Sequence, residues 1–192
     1  MIKSRSWTAF AASNIVFNLL YMFCLVSPLY VFFGDVVGHI GFVEYNVMVF
    51  DEPFYSASMD SIRTFASFLL LQSIFSIVCT IFLYFWADEG KTLKPYAGIV
   101  FGGLAASVAC MGILYGCYHL LQMEVRSLAV NFSHETSAGK IVFSGSNVIR
   151  QPADIILSNH LLLPALASSI ILFVYAYTKH SSERVEKSEA SA

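Results

Sequence analysis

The stretch RTFASFLLLQSIFSIVCTIFLYFWADEGKTLKPYAGIVFGGLAASVACMGILYGCYHLL, Arg63 to Leu121, decides the fold. Within it Phe65 to Ala87 and Tyr96 to Leu121 are apolar runs, each longer than the ~20 residues that cross a bilayer core of ~30 Å. Only Asp88-Glu89-Gly90-Lys91-Thr92-Leu93-Lys94 separates them. A turn that short sends the chain straight back, so the two helices are antiparallel neighbours. The stretch is a membrane hairpin.

Two further apolar runs flank it, giving expected spans of about 7–33, 65–87, 96–121 and 155–177. With 57% hydrophobic and only 12% charged residues, the chain reads as an integral membrane protein rather than a soluble domain. Outside the spans no segment reaches the ~40 residues that an autonomous domain needs. Residues 1–178 are therefore expected to form one four-span membrane domain, with 179–192 a charged, disordered cytoplasmic tail. Lys3 and Arg5 ahead of the first run imitate the start of a signal peptide, but the run is too long and no small-residue cleavage site closes it. It is read as a retained span, which Pro28 kinks or brings out of the membrane.

The outer loops are 34–64 and 122–154. In the first, Phe42 to Phe50 alternates, placing Val43, Tyr45, Val47 and Val49 on one side and Glu44 and Asn46 on the other, the pattern of a half-buried strand. Asp51-Glu52-Pro53 is expected to end it, because proline has no N–H for a ladder. Lys140 to Gly145 in the second loop is a candidate partner strand. The fold class is thus an all-α membrane protein: a four-transmembrane-helix bundle with a small extracellular β-sheet from the two outer loops. Lys3, Arg5, Lys91, Lys94, Lys179, Arg184 and Lys187 lie on one side, against Arg63, Arg126, Lys140 and Arg150 on the other. The side richer in basic residues is expected to be cytoplasmic, which puts both termini inside a multi-pass plasma-membrane protein. Asn131-Phe132-Ser133 is then an outward-facing N-glycosylation acceptor.

Along the third span Gly98, Gly102 and Ala106 recur every four residues, and Gly112 and Gly116 repeat the spacing. Small residues let helix backbones approach, so this helix is expected to sit at the centre of the bundle. A homodimer face would carry the same pattern. Asn14 and Asn18, one turn apart, together with Gln72 and His119, are the intramembrane polar groups. Amides in hydrocarbon need partners, so the asparagines should face the bundle as interhelical hydrogen bonds; a polar pore is the other reading. His119 and His160 mark the outer ends of the third and fourth spans, with Asp154 nearby. The histidines are scattered with no paired spacing, and no nucleophile motif or phosphate-binding glycine loop occurs, so no catalytic residue, metal or cofactor is expected. With net charge −2 and no basic stripe, nucleic acid is not an expected partner.

Ser61-Ile62-Arg63, Phe75-Ser76-Ile77, the short basic turn, and Tyr96 to Ala105 resemble the claudin and peripheral myelin protein superfamily of tetraspans. The resemblance implies four helices, both termini inside, and an extracellular sheet built mainly by the first loop and completed by the second. Arg63 matches the family's arginine at the start of the second span, and Gly41-Phe42-Val43 stands where Gly-Leu-Trp is expected. The loop has neither Trp nor Cys, so the chain resembles a divergent member of that superfamily. The expected function is non-enzymatic: association in cell adhesion and junction organisation, or service as an auxiliary subunit of a membrane complex. Expected partners are membrane lipids and other membrane proteins in cis or in trans, including copies of itself. A pore or transporter for ions or small solutes is the alternative.

Overall fold

A computed structural model of the chain describes residues 5–49, 51–88, 94–129, 133–136, 139–142 and 147–189. Among the described residues four helices are long and apolar enough to cross a membrane, over Arg5–Val26, Ala57–Phe85, Ala97–Arg126 and Leu162–Ser181. That is the make-up of a multi-pass membrane protein. The chain divides into two compact units, one of Met1–Tyr21, Leu71–Ala109 and Leu161–Ala192, the other of Met22–Leu70 and Cys110–His160.

In the first unit, parts of α1 (Arg5–Val26), α2 (Ala57–Asp88) and α3 (Lys94–Ala129) are joined by the last helix, Leu162–Glu189. All four contribute to one core, in which Trp7, Phe10, Leu83, Ala97, Val100, Leu104, Phe173 and Ala176 are buried. Trp7 meets Phe173 edge-on at 6.3 Å between ring centroids. Each helix buries a stripe with alternating steps of three and four residues. On α3 this stripe runs Ala97, Val100, Leu104, Ser107, and on α2 it includes Ser73, Ser76, Thr80 and Leu83. The last helix does not stop at Tyr177. It continues to Glu189, so most of the tail expected to be disordered is helical; extending a helix already nucleated by a packed span avoids the nucleation cost a free segment would face.

The second unit contains the sheet. Its strands are β1 (Tyr30–Phe33), β2 (Val36–Ile40), β3 (Tyr45–Val49), β4 (Glu52–Pro53) and, from the second loop, β7 (Asn147–Arg150). They are all antiparallel in the order β4-β3-β2-β1-β7. Two further strands, β5 (Ser133–Thr136) and β6 (Gly139–Val142), pair with each other in a separate two-stranded sheet. Tyr30, Phe32, Val36, Ile40 and Val47 point into the unit's core, to which α2 adds Met59, Ile62, Ala66 and Leu69 and α3 adds Leu114, Tyr118, Leu121 and Val125.

Several expected boundaries move, each for a local reason. The first span ends at Val26, not near residue 33, because Pro28 has no N–H and drives Ser27 out of helical geometry. The apolar residues beyond it form β1, the strand hidden inside the first hydrophobic run. The second helix begins at Ala57 rather than 65, where the Ser56 hydroxyl accepts from the Met59 N–H at 3.5 Å and caps the first turn. The fourth span begins at Leu162, not Ile155. A proline inside a helix clashes with the carbonyl four residues back, so a continuous helix through His160 and Pro164 is blocked. The chain instead makes the short helix α4 (Pro152–Ser158), turns through His160 at φ 55°, and starts α5 (Leu162–Glu189) with Pro164 in its first turn.

The strand read from alternation is present, with Val47 buried and Asn46 and Met48 exposed, but it starts at Tyr45. Residues 41–44 are used by a turn closed by the Gly41 N–H donating to the Glu44 carbonyl at 2.9 Å. Its partner is β2 from the same loop, not Lys140 to Gly145; hairpin closure over so few residues costs less entropy than a pairing between loops. Pro53 does not end pairing outright. Asp51, at φ 64°, reverses the chain, and Glu52–Pro53 adds a two-residue edge strand, a position in a sheet where proline fits.

Candidate functional site

Polar side chains gather in two places, one in each unit. In the first unit Asn14 and Asn18 of α1 are essentially fully buried against the polar part of the α2 stripe. The Asn14 amide nitrogen donates to Thr80 Oγ1 at 2.6 Å and the Asn18 amide nitrogen to Ser76 Oγ at 3.2 Å. The Ser73 hydroxyl donates to Asn18 Oδ1 at 3.0 Å, and Asn18 also donates to the Asn14 carbonyl at 2.8 Å. Thr80 in turn donates to the Ser76 carbonyl at 2.8 Å. Gln72 extends the arrangement to α3, donating to Ser107 Oγ at 2.9 Å. This is a closed ladder: the amides spend their hydrogen-bonding capacity on neighbouring helices, where an unmet amide in hydrocarbon would be costly.

The second unit holds a buried carboxylate. Asp154, in the first turn of α4, is fully buried. Its Oδ1 accepts from the Tyr30 hydroxyl of β1 and, at 2.5 Å, from the Tyr118 hydroxyl of α3. Its Oδ2 accepts from Arg150 Nε, and the same guanidinium donates through Nη2 to Ser158 Oγ at 2.8 Å. Strand β7 is thereby fastened to β1, α3 and α4 through one carboxylate. Burial and then the Asp154 hydrogen bond push the Tyr30 phenol well above its ordinary value, so it stays a neutral donor. The same carboxylate raises Arg150. This cluster is absent from the sequence reading, which set Asp154 near His119 and His160; the one legible signal was the i, i+4 spacing of Arg150 and Asp154.

The glycines of α3 are not where the packing argument put them. At about 100° per residue, Gly98, Gly102, Ala106, Gly112 and Gly116 lie on the side opposite the buried stripe, and all five are exposed. A Cβ built on Gly98, Gly102, Gly112 or Gly116 meets nothing within 4 Å. The expectation that this face is a helix crossing inside the bundle is therefore corrected. Lipid tails are as apolar as a core, so composition alone cannot tell a lipid-facing side from a packed one.

No family model, no curated protein and no solved structure matches this chain.

The remaining site residues divide cleanly. Gly41 is buried between two backbones, and a Cβ there would stand 3.2 Å from the Ser27 carbonyl oxygen and 3.3 Å from that of Glu44. Arg63 is exposed on α2. His119 is exposed on α3 and does not join the polar network around Asp154, while His160 lies against the Tyr115 ring with centroids 5.1 Å apart. Asn131 and the turn residues 89–93 fall outside the described residues. Among the described residues no group of His, Cys, Asp and Glu is arranged to hold a metal ion.

Proposed function

We propose that the protein is a non-enzymatic four-span membrane protein that works by association, either in adhesion and junction organisation or as an auxiliary subunit of a larger membrane complex. The observation that carries this reading is the open small-residue face of α3, where four glycines have empty space in place of a neighbouring backbone. A glycine in a helix interior is disfavoured by about 0.5–1 kcal/mol relative to alanine, and close approach of another helix offsets that penalty. The closed polar ladder supports the same reading against a pore, because Asn14 and Asn18 are committed to Ser73, Ser76 and Thr80. We further propose a plasma-membrane setting with cytoplasmic termini and an extracellular sheet, in line with the basic residues and with the claudin and peripheral myelin protein resemblance.

Two measurements test it. Because a Cβ on either glycine meets nothing within 4 Å, the double variant G98L/G102L should keep its detergent melting behaviour, within the roughly ±0.5 kcal/mol typical of surface changes. It should nevertheless lose a membrane protein, or a second copy of the chain, that copurifies with the wild type after mild extraction. Unchanged copurification would remove the glycine face from the mechanism. In vesicles the purified protein should add no ion or solute flux, and a flux abolished by N14L/N18L would decide for a pore. Hydrogen bonds between membrane helices average about 0.6 kcal/mol each, so that double variant should remain folded enough to assay.

A further inference from the structure

An antiparallel sheet with one face in the core normally turns polar residues outward on the other. This one does not. Opposite the buried Tyr30, Phe32, Val36, Ile40 and Val47, the sheet presents the half-buried Val31 and the exposed Phe33, Val37, Met48 and Ile149. Register makes them neighbours: Val31 pairs with Ile149 on one side and His39 on the other, and Val37 pairs with Met48. A groove of about 380 Å³ runs over this surface, lined by Val31, Phe33 and Val37 together with Val26 and Pro28 from the end of α1. Its polar side chains are His39 and Glu44, whose Nε2 and Oε1 are 4.0 Å apart.

The position of Val26 identifies the occupant. It is the last residue of a membrane-crossing helix and is 59% exposed, as Phe23 one turn earlier is 43% exposed. Lipid covers those side chains in a bilayer, so the groove opens directly from a surface that lipid already occupies. Leaving the groove to water would keep that apolar area exposed, which is unfavourable. Charge selects the kind of lipid. No Lys or Arg lines the groove, Glu44 does, and the loop from Gly34 to Ile62 contains five carboxylates and neither Lys nor Arg. An anionic headgroup would be repelled there, and a cationic amine would be attracted.

We infer that the groove joining the end of α1 to the outer face of the sheet binds a membrane phospholipid with an ammonium-bearing zwitterionic headgroup, the ammonium beside Glu44 and the apolar portion over Val26, Val31 and Val37. Lipid would then hold the sheet against the bilayer surface. This is independent of which protein, if any, the α3 face binds.

The test uses the full chain in vesicles of pure phosphatidylcholine or pure phosphatidylglycerol, each doped with a diazirine-bearing analogue of the same lipid, with adducts mapped by mass spectrometry. Adducts on the lipid-facing Phe68 and Phe75 of α2 are the internal standard for folding and insertion. In phosphatidylcholine, adducts should appear on the β1 and β2 peptides, and they should be at least severalfold fewer in phosphatidylglycerol. Glu44→Lys should reverse that preference, and Val37→Glu should reduce the sheet adducts in both lipids with the α2 adducts unchanged. Sheet peptides free of adducts while α2 is labelled would overturn the inference and leave the face to a protein partner. Equal labelling by both lipids would overturn it as well, since the headgroup would then not be recognised.

Discussion

Replacing Arg150 with methionine should destabilise the protein by about 3–5 kcal/mol, the range seen when one partner of a buried ion pair is removed and the other charge is left behind. The asymmetry of the pair makes this the costly half. The Arg150 side chain is 56% exposed and can turn to water, whereas Asp154 is fully enclosed and would keep only the Tyr30 and Tyr118 hydroxyls as donors. Asp154→Asn removes the charge but leaves an oxygen for the two phenols, and should cost only about 1–3 kcal/mol. Their combination is the decisive measurement. In R150M/D154N no charge is stranded, so the double variant should be more stable than R150M alone, a coupling expected for groups in one network. Melting in detergent reads it, at about 2–4 °C per kcal/mol for a chain of this size. If the single effects simply add, the carboxylate is not held by Arg150 and the cluster does not fasten β7 to the rest of its unit.

Hydropathy made the four helices legible, because a span must be long and apolar whatever it packs against. The same property hid what lies beside them. Tyr30 to Phe33 continue the first apolar run without a change in composition, and only Pro28 hints that the chain has left the helix. The alternation from Phe42 to Phe50 announced a strand, which is present over Tyr45–Val49, since one face is buried and one is not. Its partner could not be read from the strand itself, for pairing is set by chain closure and by turns such as the one at Gly41. Asn14 and Asn18 were legible as interhelical groups because an amide in hydrocarbon has few alternatives. Asp154 was not, because Tyr30 and Tyr118 reach it from β1 and α3, distant in the chain. The glycines of α3 show the opposite failure, a strong pattern whose meaning depends on which face is covered.

The sheet rests on one residue that admits no side chain. Gly38, in the middle of β2, has φ 131°, and a Cβ placed on it would stand 1.9 Å from the backbone oxygen of Asn46 and 2.9 Å from its carbonyl carbon. Both atoms belong to the backbone of β3, paired with β2 from Val36 to Ile40, so neither can swing aside as a side chain would. Gly38→Ala therefore meets two penalties, about 1–2 kcal/mol for a left-handed backbone and about 1–3 kcal/mol for overpacking. Gly34 supplies the control. It also has positive φ, at 116°, but a Cβ there has nothing within 4 Å, so Gly34→Ala should carry the conformational penalty alone. The expected order is wild type, then G34A, then G38A, with the second step at least as large as the first. Because the groove over Val31 and Val37 depends on β2 keeping its register, G38A should also lose lipid adducts on the sheet while the α2 adducts persist. Equal melting of the two alanine variants would mean that β3 can move away from β2 at little cost, and that the sheet is held by its neighbours rather than by its own pairing.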